Sequence, residues 1–309
     1  MVVDDRAATL NIEIDEDMER GPSDFQLAIQ ELKRRPPAIF GAFFVSLVII
    51  FALVPDLFSP LDPLSQDLGR YLKAPGYVDK AGDVYWLGTD QQGRDILSRI
   101  IWGSRISLIV GIAAVIVSGL IGITVGIFAG YFGGWVDTVI SRIIDTALAV
   151  PFILLAISLV AILGPSLQNI VLVIALRTWL VYARVVRAEV LSIKENEFVT
   201  GAKATGCGTI RILFIYLFPN VASTTIVIAT LYLGRMIIIE SALSFLGLGV
   251  PPPTPTWGGM LADGRSFLDT AWWIALFPGL ILMLTVLSVN LLGDWLRDVL
   301  DPRMKRLAE

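Results

Sequence analysis

Six apolar stretches of near membrane-spanning length alternate with polar connections along this chain. The first runs from 38 to about 55, after Lys33-Arg34-Arg35-Pro36-Pro37, with Ser46 as its only clearly polar side chain. The leading prolines suit the first turn of a helix. The segment 56–105 is polar, rich in Pro, Gly and Asp, and too long for a simple connection between helices. It predicts a structured loop outside the membrane. No charge occurs from 106 to 136, so a second span fits there. Within it Gly122, Gly126 and Gly130 recur at i, i+4 and i+8, the spacing of a small-residue face for close helix packing. A third span at about 146–163 and a fourth at about 167–182 are separated only by Gly164-Pro165-Ser166, a tight hairpin. The fifth follows Pro219 and ends near Leu246; the sixth covers about 271–292, before a charged tail. The pattern predicts an all-α polytopic membrane protein with six transmembrane helices and a long loop after the first span.

Charge orients these spans. Six crossings put both termini on one side. Of the 24 Lys and Arg, 15 lie in the tails and in the connections 130–145 and 183–218, against 7 in the other loops. The positive-inside rule then puts both termini in the cytosol and the 56–105 loop outside. The acidic opening, Asp4 to Asp24, lacks the basic start and apolar core of a signal peptide and reads as a disordered cytosolic tail. The expected organisation is an acidic tail at 1–30, a first helix with its external loop at 31–105, a five-helix core at 106–293 that includes a cytosolic segment at 190–219, and a cytosolic tail at 294–309.

Composition narrows the chemistry. Hydrophobic residues make up 55% and charged residues only 17% of 309, with no nucleic-acid footprint. The absence of histidine excludes His-based acid–base catalysis and His-containing metal sites. A single cysteine, Cys207, excludes an intrachain disulfide and a Cys-cluster metal site. No metal site and no catalytic residues are expected. No GxxxxGK[ST] loop is present, so any ATP-driven work would use another chain.

Several polar stretches are candidates for function. EFVTGAKATGCGTIRILFIYLFPN (197–220) reads as the end of a helix over 190–205, a break at Gly206-Cys207-Gly208, and a second helix over 210–218. It is either an ordinary connector or a docking helix that offers the small residues Gly201, Ala202 and Ala204 between the charges of Glu197, Lys203 and Arg211. In WLGTDQQGRDILSRIIWGSRISL (86–108), Thr89 or Asp90 can cap a helix. Asp95 and Arg99 are then expected to pair at i, i+4, above an apolar stripe of Ile96, Leu97, Ile100 and Ile101. That stripe equally suits a helix lying on the membrane. Asp137, Arg142 and Asp145 read as interfacial anchors. Arg177 and Glu240 fall inside spans, where an ionisable group costs at least ~2.5 kcal/mol at the helix centre. Arg235 stands five residues from Glu240. Either Arg177, Arg235 and Glu240, with Ser241, line a hydrated translocation path, or Arg177 and Glu240 serve contacts between spans or snorkel to an interface.

These stretches together resemble the inner-membrane permeases of binding-protein-dependent ABC importers. The family's cytosolic loop carries Glu-Ala-Ala, three residues, Gly, nine residues, then Ile-x-Leu-Pro; here Ala202, Gly206 and Pro219 match. The variant of the dipeptide/oligopeptide branch fits better, through Glu197-Phe198-Val199, Ala202, Gly206 and Pro219-Asn220, with Gly201 where the family has Ala and Phe218 where it has Leu. Residues 86–108 are similar to that branch's external signature Leu-Gly-Thr-Asp-x-x-Gly-Arg-Asp, carried by Gly88, Thr89, Asp90, Gly93, Arg94 and Asp95, with Trp86 where a histidine often stands. GGWVDTVISRIIDTALAVP (133–151), ESALSFLGLGVPPPTPTWGGML (240–261) and NLLGDWLRDVLDPRMK (290–305) resemble further family stretches in the same order.

The resemblance implies the type I ABC importer permease fold in the bacterial cytoplasmic membrane and an alternating-access importer of di- or oligopeptides. It implies a second homologous permease as heterodimer partner, two cytosolic ATPases that hold ATP and Mg, and an external substrate-binding protein. Glu197, Gly201, Ala202, Lys203, Gly206, Pro219 and Asn220 would couple to the ATPases. Residues 88–95 would serve an external loop or gate, and Arg235, Glu240 and Ser241 a path for a zwitterionic peptide. Relatives of the branch carry nickel complexes, glutathione or sugar-containing compounds. An ion-coupled secondary transporter would be expected to show inverted repeats or several acids at mid-membrane. An intramembrane enzyme would need a paired nucleophile and base in its spans.

Overall fold

The computed structural model describes residues 31–300; the acidic tail expected at 1–30 and residues 301–309 lie outside them. Helix α1 (Pro36–Leu53) opens on the two prolines, as expected. Its buried residues, Ala38, Gly41, Phe44, Val48 and Ala52, form one stripe. Ile39, Phe40, Phe43, Ile50 and Leu53 point outward, an apolar face that suits lipid. The polar loop then carries a small hairpin, β1 (Tyr77–Val78) antiparallel to β2 (Val84–Tyr85).

Helix α2 (Ile96–Phe132) starts ten residues before the expected span at 106. Asp95 is its cap, the Oδ2 accepting from the Ser98 N–H at 2.8 Å and the Ser98 hydroxyl at 2.6 Å. The boundary expected at 105 therefore falls inside a helix. At 37 residues α2 is about 55 Å long, well beyond a ~30 Å hydrocarbon core. Gly122, Gly126 and Gly130 form the predicted small-residue face. A Cβ at Gly126 or Gly130 would lie 2.8 Å from the Cβ of Val186 or Val190, and one at Gly122 would overlap Tyr182. These residues belong to α5, so the backbones of α2 and α5 meet along this line.

The third span departs from expectation. Instead of one helix over 146–163, α3 (Gly134–Ala149) and α4 (Phe152–Leu163) meet at 88°. Pro151 is the cause: its ring excludes the α region for the preceding residue, and Val150 sits at φ −76°, ψ 125°. The α3 anchors find partners in α5: Asp137 pairs with Arg187, one oxygen at 2.6 Å, and Asp145 with Arg184 at 2.6 Å. The predicted hairpin follows, with Gly164 at φ +81° and the Ser166 hydroxyl capping α5 (Leu167–Ile193) at the Asn169 N–H.

Helix α5 continues past Tyr182 to Ile193, breaks, and gives the short α6 (Glu197–Ala204). A turn Thr209–Arg211 and a π segment Ile212–Leu217 lead into α7 (Phe218–Phe245). After a proline-rich turn come α8 (Trp257–Gly264) and α9 (Trp273–Leu300), which runs through the start of the tail expected at 294. Among the described residues five helices are apolar and long enough to cross a membrane, and six segments if the bent α3–α4 pair is counted as one. The core lies between α2, α4, α5 and α7, where Val110, Ala114, Val160, Ile170, Ile174, Met236 and Leu243 cluster. Residues 56–95, Pro165 and α8 gather at one end, the loop end; α6 and the Arg35–Asp298 pair lie at the far end.

Candidate functional site

At the loop end the Gly-Thr-Asp-x-x-Gly-Arg-Asp run folds into a clasp. Residues 67–73 cross it and bond to its backbone: the Thr89 N–H donates to the Lys73 carbonyl, the Leu72 N–H to Asp90 and the Asp67 N–H to Gln92. Gly88 and Gly93 both have positive φ, and a Cβ at Gly93 would overlap the Asp67 carbonyl, so glycine is required at both. The Thr89 hydroxyl donates to the Arg70 carbonyl and accepts from the Lys73 N–H. The indole N–H of Trp273 donates to the Thr89 carbonyl at 3.1 Å, and that of Trp257 to the Ile100 carbonyl at 3.0 Å. The clasp is thus bolted to α8 and α9.

Its centre is Asp90, fully buried, whose Oδ2 receives both the Arg94 Nε at 2.7 Å and the Arg99 guanidinium. Asp263, on α8, faces both arginines at 3.5 Å. The expected Asp95–Arg99 pair does not form. Asp95 is consumed by capping α2, whose first N–H groups have no intrahelical partner, and Arg99 turns to Asp90 and Asp263. Thr89 and Asp90, expected as caps, are instead tied to the crossing strand and the two arginines. Burial pushes the Asp95 carboxyl above the usual carboxylate range, against the pull of the hydrogen bonds from Ser98 and Leu97. Ile96, Ile100 and Ile101 are buried as the stripe predicted, Ile96 and Ile100 against α8 and α9 residues such as Met260 and Ile274 rather than a membrane surface. Trp86 stays exposed.

The far end is built the opposite way. The break at Lys194–Asn196 interrupts the helix expected over 190–205, and α6 emerges as a separate unit. Its end is a Schellman turn: the Cys207 N–H donates to the Ala202 carbonyl and the Gly206 N–H to the Lys203 carbonyl, with Gly206 at φ +81°. Val199 is buried against Ile212, Leu213 and Leu217, and Ala202 is buried as well. Ala202 therefore faces inward, not outward with Gly201 and Ala204 as expected. The break at 194–196 resets the helical phase, which sequence spacing alone did not reveal. Glu197, Thr200, Gly201, Lys203 and Ala204 are exposed. Among the described residues nothing lies within 4 Å of a Cβ placed at Gly201, Gly206 or Gly208. Lys203 sits over the Tyr131 ring at 5.3 Å, and Phe198 stacks on Tyr216. Pro219 lies in the first turn of α7, exposed, and the Asn220 amide donates to the Tyr216 carbonyl. Beside α6, Ile210, Phe214, Ile215 and Phe218 expose an apolar strip.

Within the spans, Glu240 is fully buried and accepts hydroxyls from Ser244 at 2.7 Å, Ser107 at 3.0 Å and Ser241 at 3.4 Å. It is a polar rivet between α7 and α2. Arg235 turns away, exposed and 5.6 Å from the Tyr232 ring, so the three candidate path residues do not form one site. Arg177 is half-buried in α5. Sequence reasoning missed Asp263, Trp257 and Trp273. Nothing in the 86–108 stretch signalled a further acid, because Asp90 and Asp95 already match Arg94 and Arg99 in number.

Among the described residues five helices, or six segments with the bent α3–α4 pair counted as one, are long and apolar enough to cross a membrane. With a clasped loop at one end and a projecting short helix at the other, this suits a membrane transport subunit, and sequence comparison agrees. Residues 122–306 match the family of binding-protein-dependent transport system inner membrane components, and residues 23–75 match the N-terminal transmembrane domain of oligopeptide transport permease C. The chain belongs to this family of permeases. It is 41% identical to the di/tripeptide transport system permease protein DppC of Pseudomonas aeruginosa, over 93% of this chain and 95% of that protein. It is 43% identical to the dipeptide transport system permease protein DppC of Escherichia coli K12, over 89% of this chain and 91% of that protein. A glutathione transport system permease protein GsiD of Pectobacterium atrosepticum is 42% identical over 88% of this chain and 89% of that protein.

Proposed function

We propose that this chain is one half of the membrane channel of an ATP-driven importer that moves di- and oligopeptides inward by alternating access. The loop end faces outward, toward a substrate-binding protein. The far end and both termini face the cytosol, where two ATPase subunits bind ATP and Mg. A second, homologous permease completes the pathway, against apolar faces the bundle leaves open. The residues 190–219 form the coupling segment, with Glu197, Gly201, Lys203 and Gly206 at the contact and Ala202, Pro219 and Asn220 holding it in place. The cargo is proposed from the dipeptide permeases this chain is similar to; the similarity to GsiD supports glutathione, itself a short peptide, as a second candidate.

The observation that carries this reading is the exposed face of α6. A small, glycine-bearing helix held by buried Val199 and Ala202, with open space over Gly201, suits a partner's groove. A population shift needs that groove to grip the helix differently in the open and closed ATPase states. Gly201→Trp is the direct test, because a Cβ there meets nothing within 4 Å among the described residues. Membrane insertion and thermal stability should stay at wild-type level while ATP-driven uptake falls below a tenth. Unchanged uptake would sink the docking role.

A further inference from the structure

At the loop end a cavity of about 370 Å³ opens between the start of α2, Pro165, the turn 247–256 and α8. Its volume is at the lower end of the range for small-ligand sites. Its wall combines both charge signs. Arg94 and Arg99, each 4% exposed, supply guanidinium groups, and the half-buried Asp263 supplies a carboxylate. The two arginines share a single oxygen of Asp90 and reach Asp263 only at 3.5 Å. Among the described residues the buried Arg99 Nε and the buried Gln92 Oε1 have no hydrogen-bond partner. An unsatisfied buried donor or acceptor is costly in a folded protein, so this polar cluster is incompletely paired by the described residues. A carboxylate is the acceptor a guanidinium pair fits best, because it accepts two parallel N–H bonds. The remaining wall, with Val250, Pro251, Pro253 and Ala262, is apolar and suits a small side chain.

We propose that this cavity is a transit subsite for a short zwitterionic peptide: its carboxylate binds the Arg94–Arg99 pair, and its ammonium binds Asp263. The proposal rests on the peptide-cargo reading above and adds to it a location, an orientation and a length limit of two or three residues. Asp263 is the specificity-determining residue, since the two guanidinium groups are also needed to hold Asp90.

The test uses the complete transporter in proteoliposomes, with its ATPases and binding protein, and alanyl-alanine as cargo. Asp263→Asn should lower the maximal uptake rate about tenfold, the scale of losing one partly solvated ion pair. Half-saturation, set by the unmodified binding protein, should not move, and Asp263→Glu should restore the rate. In the wild-type complex, a dipeptide carrying a photoreactive side chain should label residues 250–263 and be displaced by alanyl-alanine. Wild-type uptake with full activity in Asp263→Asn, or labelling only elsewhere, overturns the subsite and leaves the cargo reading standing. A wild-type complex that hydrolyses ATP but takes up no dipeptide overturns the cargo reading and this proposal together.

Discussion

The clasp at 86–99 and the helix α6 are both short motif-bearing stretches, yet their side chains have opposite fates. In the clasp, Thr89, Asp90, Arg94 and Asp95 are buried and bonded to one another or to neighbouring backbone. In α6, Glu197, Gly201 and Lys203 are exposed, and among the described residues nothing lies within 4 Å of a Cβ at Gly201. One stretch spends its chemistry inside the fold, where substitution should cost stability. The other keeps it at the surface, where substitution should cost partnership alone.

That contrast orders the experiments. The largest stability loss is expected from Asp90→Ala, which leaves two buried guanidinium groups without their shared carboxylate, at about 3–5 kcal/mol. Limited proteolysis within 56–95 should accelerate sharply; an unchanged cleavage pattern would contradict a structural role for the clasp. Next comes Gly122→Ala, which forces a methyl into Tyr182 across the α2–α5 seam at about 1–3 kcal/mol. A lowered melting temperature in detergent would show it. Gly206→Ala should cost only about 1–2 kcal/mol, the penalty of a left-handed conformation in open space, seen as a small melting shift with a partial loss of coupled ATPase activity. Gly201→Trp closes the series: no stability change, but loss of transport. If Gly201→Trp destabilised the chain more than Asp90→Ala, the contrast would be inverted.

Local spacing made much of this fold readable. The i, i+4, i+8 glycines of α2 marked its seam with α5, and Gly164-Pro165-Ser166 marked a hairpin, because neighbours along a helix or turn determine both. The misreadings came where a distant partner or a break intervened. Asp95 and Arg99 have ideal helical spacing, but capping α2 claimed Asp95 first. The break at Lys194–Asn196 rotated Ala202 inward. Val150 was forced extended by Pro151, so a continuous apolar run became two helices at 88°. Asp263 lies 169 positions from Arg94, and no pattern within either segment records that they meet.

Helix α2 touches both regions just compared. Asp95 caps it beside the clasp, and near its other end Gly130 accepts from the Lys194 ammonium while Tyr131 lies under Lys203. It is one continuous helix about 55 Å long, packed on α5 along the glycine seam near its far end. A tilt of about 5° pivoted at Gly126 would carry the loop end about 4 Å and the far end less than about 1 Å, in opposite directions. The clasp at one end of the bundle and the neighbourhood of α6 at the other are thus joined by one continuous helix.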